Sequence, residues 1–249
     1  EQWGEQLVCR LRGMFAFAIY NTADQSLFMA RDYFGIKPLH YTSLDDGRFL
    51  YASEIKCLMA HPDFTPRFNE QALDVYLSYQ YSVPRQTFFR DVFCLPPAHY
   101  LWLRGGEVSE HRYWDATFNP DQSMTLDEAV EQIDSVFTQS VEAHRISDVE
   151  VGCFLSSGVD SSYVASYFAG QKAFTVGFDG GSHYNESEYA AALAEQVGIE
   201  HFSHVINEEE YWAALGDVQY HLDQPLADPS CIALYFVSKL AAQHVKVVL

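Results

Sequence analysis

The sequence predicts two folded units in one chain. An α+β unit over residues 1–114 is followed, after a linker at 115–124, by an α/β unit with a doubly wound parallel sheet over residues 125–249. Three observations predict this. From residue 14 to about residue 114, short runs rich in aromatic and branched residues are separated by polar turns, as in antiparallel strands. The pattern lapses at Asn119-Pro120-Asp121-Gln122-Ser123, a polar, proline-containing stretch. Beyond it, apolar β-type runs alternate with helical stretches, which implies parallel strands joined by helices.

In the first unit the expected strands are residues 14–20, 27–30, 39–42 and 49–52. Asp46-Gly47 and Gly105-Gly106 lie between such runs, where glycine supplies the positive φ of tight hairpins. Helical patches are expected at 55–60 and 70–79, the second with Ala72, Val75, Tyr76 and Tyr79 on one face. In the second unit Thr125-Leu126-Asp127-Glu128 matches a capping box. Leu126, Ala129, Val130, Ile133, Val136, Phe137 and Val141 follow at helical spacing. Strands are expected at 149–155, 173–178, 201–206 and 245–249, with a helix over 185–197 capped by Asn185 and ended by Gly198.

The composition is that of an ordinary globular chain, 48% hydrophobic and 20% charged over 249 residues. Acidic side chains number 34 against 15 basic ones, a formal charge of -19, and no Lys/Arg-rich stretch offers a phosphate-backbone footprint. Nucleic acid and anionic membranes are therefore poor partners. No apolar run approaches the roughly 20 residues that span a bilayer, and the opening residues lack a basic region followed by an apolar stretch. Cys9, Cys57, Cys94, Cys153 and Cys231 are odd in number and lack C-x-x-C spacing. They indicate neither a disulfide framework nor a zinc site, and a reducing, cytoplasmic setting fits best.

The segment that carries chemistry is Ser156-Ser157-Gly158-Val159-Asp160-Ser161-Ser162, between the expected strand at 149–155 and a helical run at 163–169. A strand, a small-residue loop and a helix start make an anion site, because unpaired N–H groups and the positive helix end converge there. Hydroxyls of Ser156, Ser161 and Ser162 add donors. Hydrogen bonds to a charged group contribute about 1.5–3 kcal/mol each, so three or four suit a pyrophosphate, whereas the dipole alone gives ~0.3–1 kcal/mol. The loop lacks the lysine of G-x-x-x-x-G-K-[ST], which excludes the usual loop of γ-phosphoryl transfer. It holds Asp160 instead, which beside a polyphosphate needs an intervening cation and so is a candidate Mg²⁺ ligand. ATP with Mg²⁺ is the expected ligand; the plainer alternative is a common turn in which Asp160 or Ser161 caps the helix.

The S-G-x-D-S-S run after a hydrophobic strand resembles the pyrophosphate loop of N-type ATP pyrophosphatases, which cleave ATP to AMP and pyrophosphate. Leu11-Arg12-Gly13-Met14-Phe15-Ala16-Phe17-Ala18, Ala30-Arg31-Asp32, Gly35-Ile36-Lys37-Pro38-Leu39 and Ala52-Ser53-Glu54-Ile55-Lys56 resemble the glutaminase domain of the glutamine-hydrolysing asparagine synthetases. Val176-Gly177-Phe178, the 185–198 helix and Asp223-Gln224-Pro225-Leu226-Ala227-Asp228 extend the likeness over nearly the whole chain. The resemblance implies the C-terminal part of a class-II glutamine amidotransferase domain, an Ntn-hydrolase-type sandwich, over 1–114. Over 125–249 it implies the N-terminal part of an ATP-pyrophosphatase domain of adenine nucleotide alpha hydrolase-like fold.

By the same resemblance, glutamine is hydrolysed to ammonia, which passes through a tunnel to the second domain. There ATP activates aspartate as aspartyl-AMP with release of pyrophosphate, and ammonia displaces AMP to give asparagine. Adenine would lie against Phe154 or Leu155 and Val176-Gly177 through mainly backbone contacts, with pyrophosphate on Ser156, Ser157, Gly158, Val159, Asp160, Ser161 and Ser162, and Mg²⁺ on Asp160. Asp228 and Ser230 would stand on the aspartate side, although Asp228 reads equally as a helix cap. Aspartate, glutamine or ammonia, and ATP are the implied partners, and a homodimer is compatible.

In this family the glutaminase nucleophile is a cysteine at the N-terminus, activated by its own amine. Residue 1 here is Glu, and none of the five internal cysteines substitutes. The chain opens without Met and closes on an apolar run with no turn after it, so it is expected to be a piece cut at both ends, without either activity alone. Ser157 stands where many relatives have Gly, which would cost roughly 1–2 kcal/mol were the backbone left-handed there. The alternatives are a β-lactam synthetase-like or other ATP-dependent amide-forming homologue, a non-catalytic homologue, and a tRNA-modifying or nucleotide-making ATP pyrophosphatase. The Arg12-Gly13-Met14-Phe15-Ala16-Phe17 block and the acidic charge argue against the last. His201 and His204 sit three apart in an expected strand, a poor metal pair, and Glu208-Glu209-Glu210 reads as a solvated first helical turn.

Overall fold

The computed structural model describes residues 2–81, 85–180 and 187–249. The chain forms two compact units, Glu1–Asn119 with Leu222–Ala227, and Pro120–His221 with Asp228–Leu249.

The first unit contains a 3₁₀ turn (Gly4–Arg10), β1 (Ala16–Asn21), β2 (Ser26–Arg31), β3 (His40–Ser43), β4 (Phe49–Ala52), α1 (Ile55–Met59), α2 (Glu70–Tyr79), β5 (Phe93–Cys94), β6 (His99–Arg104) and β7 (Glu107–Arg112). One antiparallel sheet has the order β1-β2-β6-β7 and the other β4-β3-β5. Side chains alternate across a strand, and β2 shows the result. Leu27 and Met29 enter the core between the sheets with Leu39, Tyr41, Leu95 and Leu101. Phe28 and Ala30 face the other way, onto Val8 of the 3₁₀ turn. On the far side of the second sheet, Ile55 and Leu58 of α1 pack with Val92. The expected turn at Gly105-Gly106 is a two-residue hairpin with φ of +57 and +84, joining Arg104 to its partner Glu107. Of the helical face expected on α2, Ala72 is buried but Tyr79 is 64% exposed.

The sequence division assigned all of 125–249 to the second unit, whereas Leu222–Ala227 packs with the first. Polar bonds supply the reason. The Asp223 carboxylate accepts from the Ile55 amide at 2.6 Å and pairs with Lys56 Nζ at 2.9 Å. Gln224 Oε1 accepts from the Phe88 amide at 2.9 Å.

The second unit comprises α3 (Leu126–His144), β8 (Val151–Phe154), α4 (Val159–Ala165), β9 (Lys172–Phe178), α5 (Ser187–Val197), β10 (Glu200–Ile206), α6 (Glu208–Leu222, its last residue packing with the first unit), α7 (Ser230–Ala241) and β11 (Val247–Val248). The sheet is parallel, in the order β10-β9-β8-β11. Cys153, Leu155 and Ala173 face Val141 of α3, Ala165 of α4 and Ala190 and Ala194 of α5. Phe174, Phe154 and Val176 face Val237 and Ala241 of α7. Helices thus cover both faces, as the strand–helix alternation predicts.

The capping box at α3 is formed in both directions, Glu128 N–H to Thr125 Oγ1 and Thr125 N–H to Glu128 Oε2 at 2.9 Å. Its apolar stripe is broader than its contact with the sheet: Phe137 and Val141 pack, while Leu126, Val130, Ile133 and Val136 are exposed. Gly198 ends α5 with φ of +80, and its N–H returns to the Ala194 carbonyl. The cap expected at Asn185 lies outside the described residues. Glu210 is more than a solvated residue, since it exchanges hydrogen bonds with Asn207 in a reciprocal cap and meets His204 Nε2 at 3.2 Å.

Candidate functional site

β8 is the first strand of its sheet, and its successors lie on opposite sides of it, β9 on one and β11 on the other. The chain leaving its carboxyl end therefore emerges at the switch point of an open α/β sheet, where such sheets bind ligands.

What emerges is shorter than the sequence suggests. The helix begins at Val159 and ends at Ala165, so the expected run at 163–169 is displaced toward the loop, and only Ser156, Ser157 and Gly158 lie between it and Leu155. Gly158, extended at φ -71 and ψ 149, starts the helix without a side-chain cap bond. The first-turn amides of Val159, Asp160 and Ser161 precede the first intrahelical bond, Ser162 N–H to Gly158 O at 3.1 Å.

The serine hydroxyls, expected as phosphate donors, brace the loop. Ser156 Oγ and Ser161 Oγ lie 2.8 Å apart, Ser156 N–H donates to Ser161 Oγ, and Gly158 N–H donates to Ser156 Oγ. Ser162 Oγ donates its one proton to the Gly158 carbonyl at 2.7 Å. A methyl on Gly158 would stand 3.2 Å from Ser156 Oγ, a tight contact that would make that hydroxyl shift by a few tenths of an ångström. Among the described non-glycine residues with positive φ, Ser157 is absent, so it carries no left-handed penalty.

A cleft of about 500 Å³ opens beside this loop, lined by Phe154, Leu155, Ser156, Ser161, Phe174, Val176, Phe178, Ser230 and α7 side chains including Leu234. Six of the sequence-predicted residues (Phe154, Leu155, Ser156, Ser161, Val176 and Ser230) meet there. Others do not line it: Val159 is 83% exposed, Gly177 is buried in β9, and Ser157, Gly158 and Asp160 face solvent at the loop. Asp228 is engaged at the start of α7, where the Ser230 hydroxyl and amide hold its carboxyl below the usual range. His201 and His204 take separate partners, Thr175 and Glu210.

The sequence reading missed Thr175. It is 2% exposed, donates from Oγ1 to the Leu155 carbonyl at 2.7 Å, and meets His201 Nε2 at 2.8 Å. Burial holds the His201 pKa below its ordinary value. A hydroxyl between Phe174 and Val176 in an apolar strand is the available signal, because a buried polar group needs a partner.

Asp160 is exposed in the first turn of α4. Among the described residues no group of three His, Cys, Asp or Glu side chains could hold a metal ion. A cation that binds through phosphate oxygens and water needs only one or two protein carboxylates, and Asp160 fits that requirement. The cysteines are free: Cys9 and Cys57 exposed, Cys94 and Cys231 half-buried, and Cys153 buried, its thiol pushed up to about 12. No helix among the described residues is long and apolar enough to cross a membrane.

Residues 132–249 match the family described as asparagine synthase, and residues 1–114 match the glutamine amidotransferase domain family. The chain is 40% identical over 251 residues to a Bacillus subtilis protein named asparagine synthetase [glutamine-hydrolyzing] 1, covering 98% of this chain and 39% of that protein. A Mycobacterium bovis protein named putative asparagine synthetase [glutamine-hydrolyzing] is 36% identical, covering 99% of this chain and 39% of its own length. A Penicillium rubens protein named amidase chyE is 30% identical, covering 100% and 40%. The chain thus spans about two fifths of the length of these relatives.

Proposed function

From a chain that belongs over residues 1–114 to the glutamine amidotransferase family and over residues 132–249 to the asparagine synthase family, we propose that the protein makes asparagine from aspartate, glutamine and ATP. In this reading the first unit belongs to an Ntn-hydrolase-type sandwich that releases ammonia from glutamine. The second unit, of adenine nucleotide alpha hydrolase-like fold, lets the aspartate side-chain carboxylate attack the α-phosphorus of ATP. Aspartyl-AMP forms, pyrophosphate leaves, and ammonia displaces AMP.

The single observation that carries the nucleotide half is the braced loop at the switch point, with first-turn amides on one side and an apolar cleft on the other. The Ser156–Ser161 brace holds the loop backbone still, and positioning of this kind, with fixed N–H groups, is what a pyrophosphate leaving group requires. Mg²⁺, held by Asp160 and phosphate oxygens, would neutralise the phosphate charge. Phe154, Leu155 and Val176 would receive the adenine, and Ser230 would face the substrate side. The free cysteines and the acidic surface suit a cytoplasmic protein.

The test is product stoichiometry. Intact protein given aspartate, glutamine and Mg²⁺-ATP should yield asparagine, AMP and pyrophosphate in equal amounts. ADP in place of AMP would overturn the proposal.

A further inference from the structure

The first turn of α1 takes its cap from a residue 168 positions further along the chain. Glu54, which precedes the helix, makes no side-chain cap bond. The Asp223 carboxylate supplies the acceptor instead, 2.6 Å from the Ile55 amide, and pairs with Lys56 Nζ at 2.9 Å. This ion pair is withdrawn from water, with the Asp223 side chain 9% exposed and that of Lys56 19%. One residue on, Gln224 Oε1 accepts from the Phe88 amide at 2.9 Å, and Phe88 is itself buried.

Asp223 follows the last residue of α6 with φ of +61, the left-handed position at which helices favour glycine. Glycine would adopt that backbone freely, so what aspartate adds there is its carboxylate. An acid held at a disfavoured φ and bonded twice at α1 marks a clasp rather than an ordinary helix end.

The clasp acts on a short strap. Leu222–Ala227 belongs to the first unit, while the residues on either side of it belong to the second. Ser230, three residues past the strap, lines the cleft together with Ala233 and Leu234 of α7. α7 in turn packs on Phe174 through Val237 and Ala241. The backbone that leaves the clasp is therefore the backbone that enters the cleft wall.

We propose that Asp223 is a positioning residue that couples the two halves of the reaction: by clasping the strap to the first unit, it makes ammonia release there depend on occupancy of the cleft beside α7. The inference rests on the reading of the first unit as a glutaminase and of the cleft as the synthetase site. Linkage between two sites needs an element that both of them bias. The strap is fixed to one unit by its hydrogen bonds and to the other by the chain itself.

Asp223→Asn tests this in the intact protein. Asparagine shares the tolerance of aspartate for positive φ and can still accept from the Ile55 amide, but it lacks the charge that holds Lys56. With glutamine as nitrogen donor, the glutamate formed per asparagine should rise by about three- to tenfold, the range that loss of one charge-assisted bond allows. With ammonium chloride as donor, asparagine formation should stay within about twofold of wild type. An unchanged ratio in the folded variant overturns the inference, and so does an equal loss of both syntheses, which would make the clasp structural alone. If Asp223→Asn does not fold, Gln224→Met removes the second anchor and is decided by the same ratio. Wild type that forms no asparagine from either donor would sink the functional reading and this inference with it. Wild type that forms asparagine, with variants that match its ratio, would sink this inference alone.

Discussion

The turn after β2 and the turn after β8 are both short bends that carry an aspartate and a glycine at the end of an inner strand, yet they use their backbone amides in opposite ways. Asp32, 2% exposed, accepts from the amides of Phe15, Phe34, Ile36 and Lys37 at 3.0 to 3.3 Å. Burial pushes its carboxyl upward, but these amides outweigh it and hold it below the ordinary value. Arg31 closes the same turn, donating to the carbonyls of Lys37 at 2.7 Å and Leu95 at 2.6 Å, and to that of Gly35. The turn fills its own donors. After β8 the carboxylate faces solvent, the serines bind one another, and the first-turn amides remain outside the brace. A carboxylate surrounded by amides is architecture, while amides held rigid without an internal anion can receive one from outside.

The largest effect should come from Asp32→Ala, which strips an acceptor from four amides in a buried turn. We expect a loss of at least about 3 kcal/mol, read by denaturant unfolding, and a loss under about 1 kcal/mol would break the contrast. The same carboxylate should carry acid sensitivity. Its folded pKa lies below its unfolded value, so its contribution is complete above about pH 4 and is lost as pH falls through the lowered value. Asp32→Asn should flatten that part of the stability profile.

Asp160→Asn should do the reverse. Pyrophosphate release should slow by about a hundredfold, roughly 2.7 kcal/mol of barrier, with unfolding free energy within about 0.5 kcal/mol of wild type. Retained activity would remove Asp160 from the proposed site. The smallest effect sharpens the loop itself. Ser157 is not left-handed, so Ser157→Gly should lose about 0.5 kcal/mol through the freer unfolded chain. A gain of ~1–2 kcal/mol would mean that the position is strained after all.

Much of this was legible from local pattern. The α3 capping box, the Gly105-Gly106 hairpin, the Gly198 helix end and the strand–helix alternation are set by neighbours a few residues apart, where spacing and residue type act directly. Six cleft residues were legible too, because strand ends and small-residue loops mark where a parallel sheet opens. Less accessible was the displacement of α4 toward the loop, which depends on hydroxyls bonding back to Gly158. The docking of Asp223 onto Ile55 and Lys56 joins positions far apart in sequence, and no periodicity announces it.

By itself the sequence determined the order of the elements, the parallel character of the second sheet and the location of the serine loop. Those follow from the alternation of apolar residues and from turn chemistry, both local. Only the tertiary structure decided that Asp32 is sealed by amides while Asp160 is not, that the Asp228 carboxylate accepts from the Ser230 amide, and that the Thr175 hydroxyl reaches the Leu155 carbonyl beside His201. Each of those outcomes depends on which distant partner reaches a polar group first. A buried donor or acceptor must find a partner, but its own residue type does not say which one.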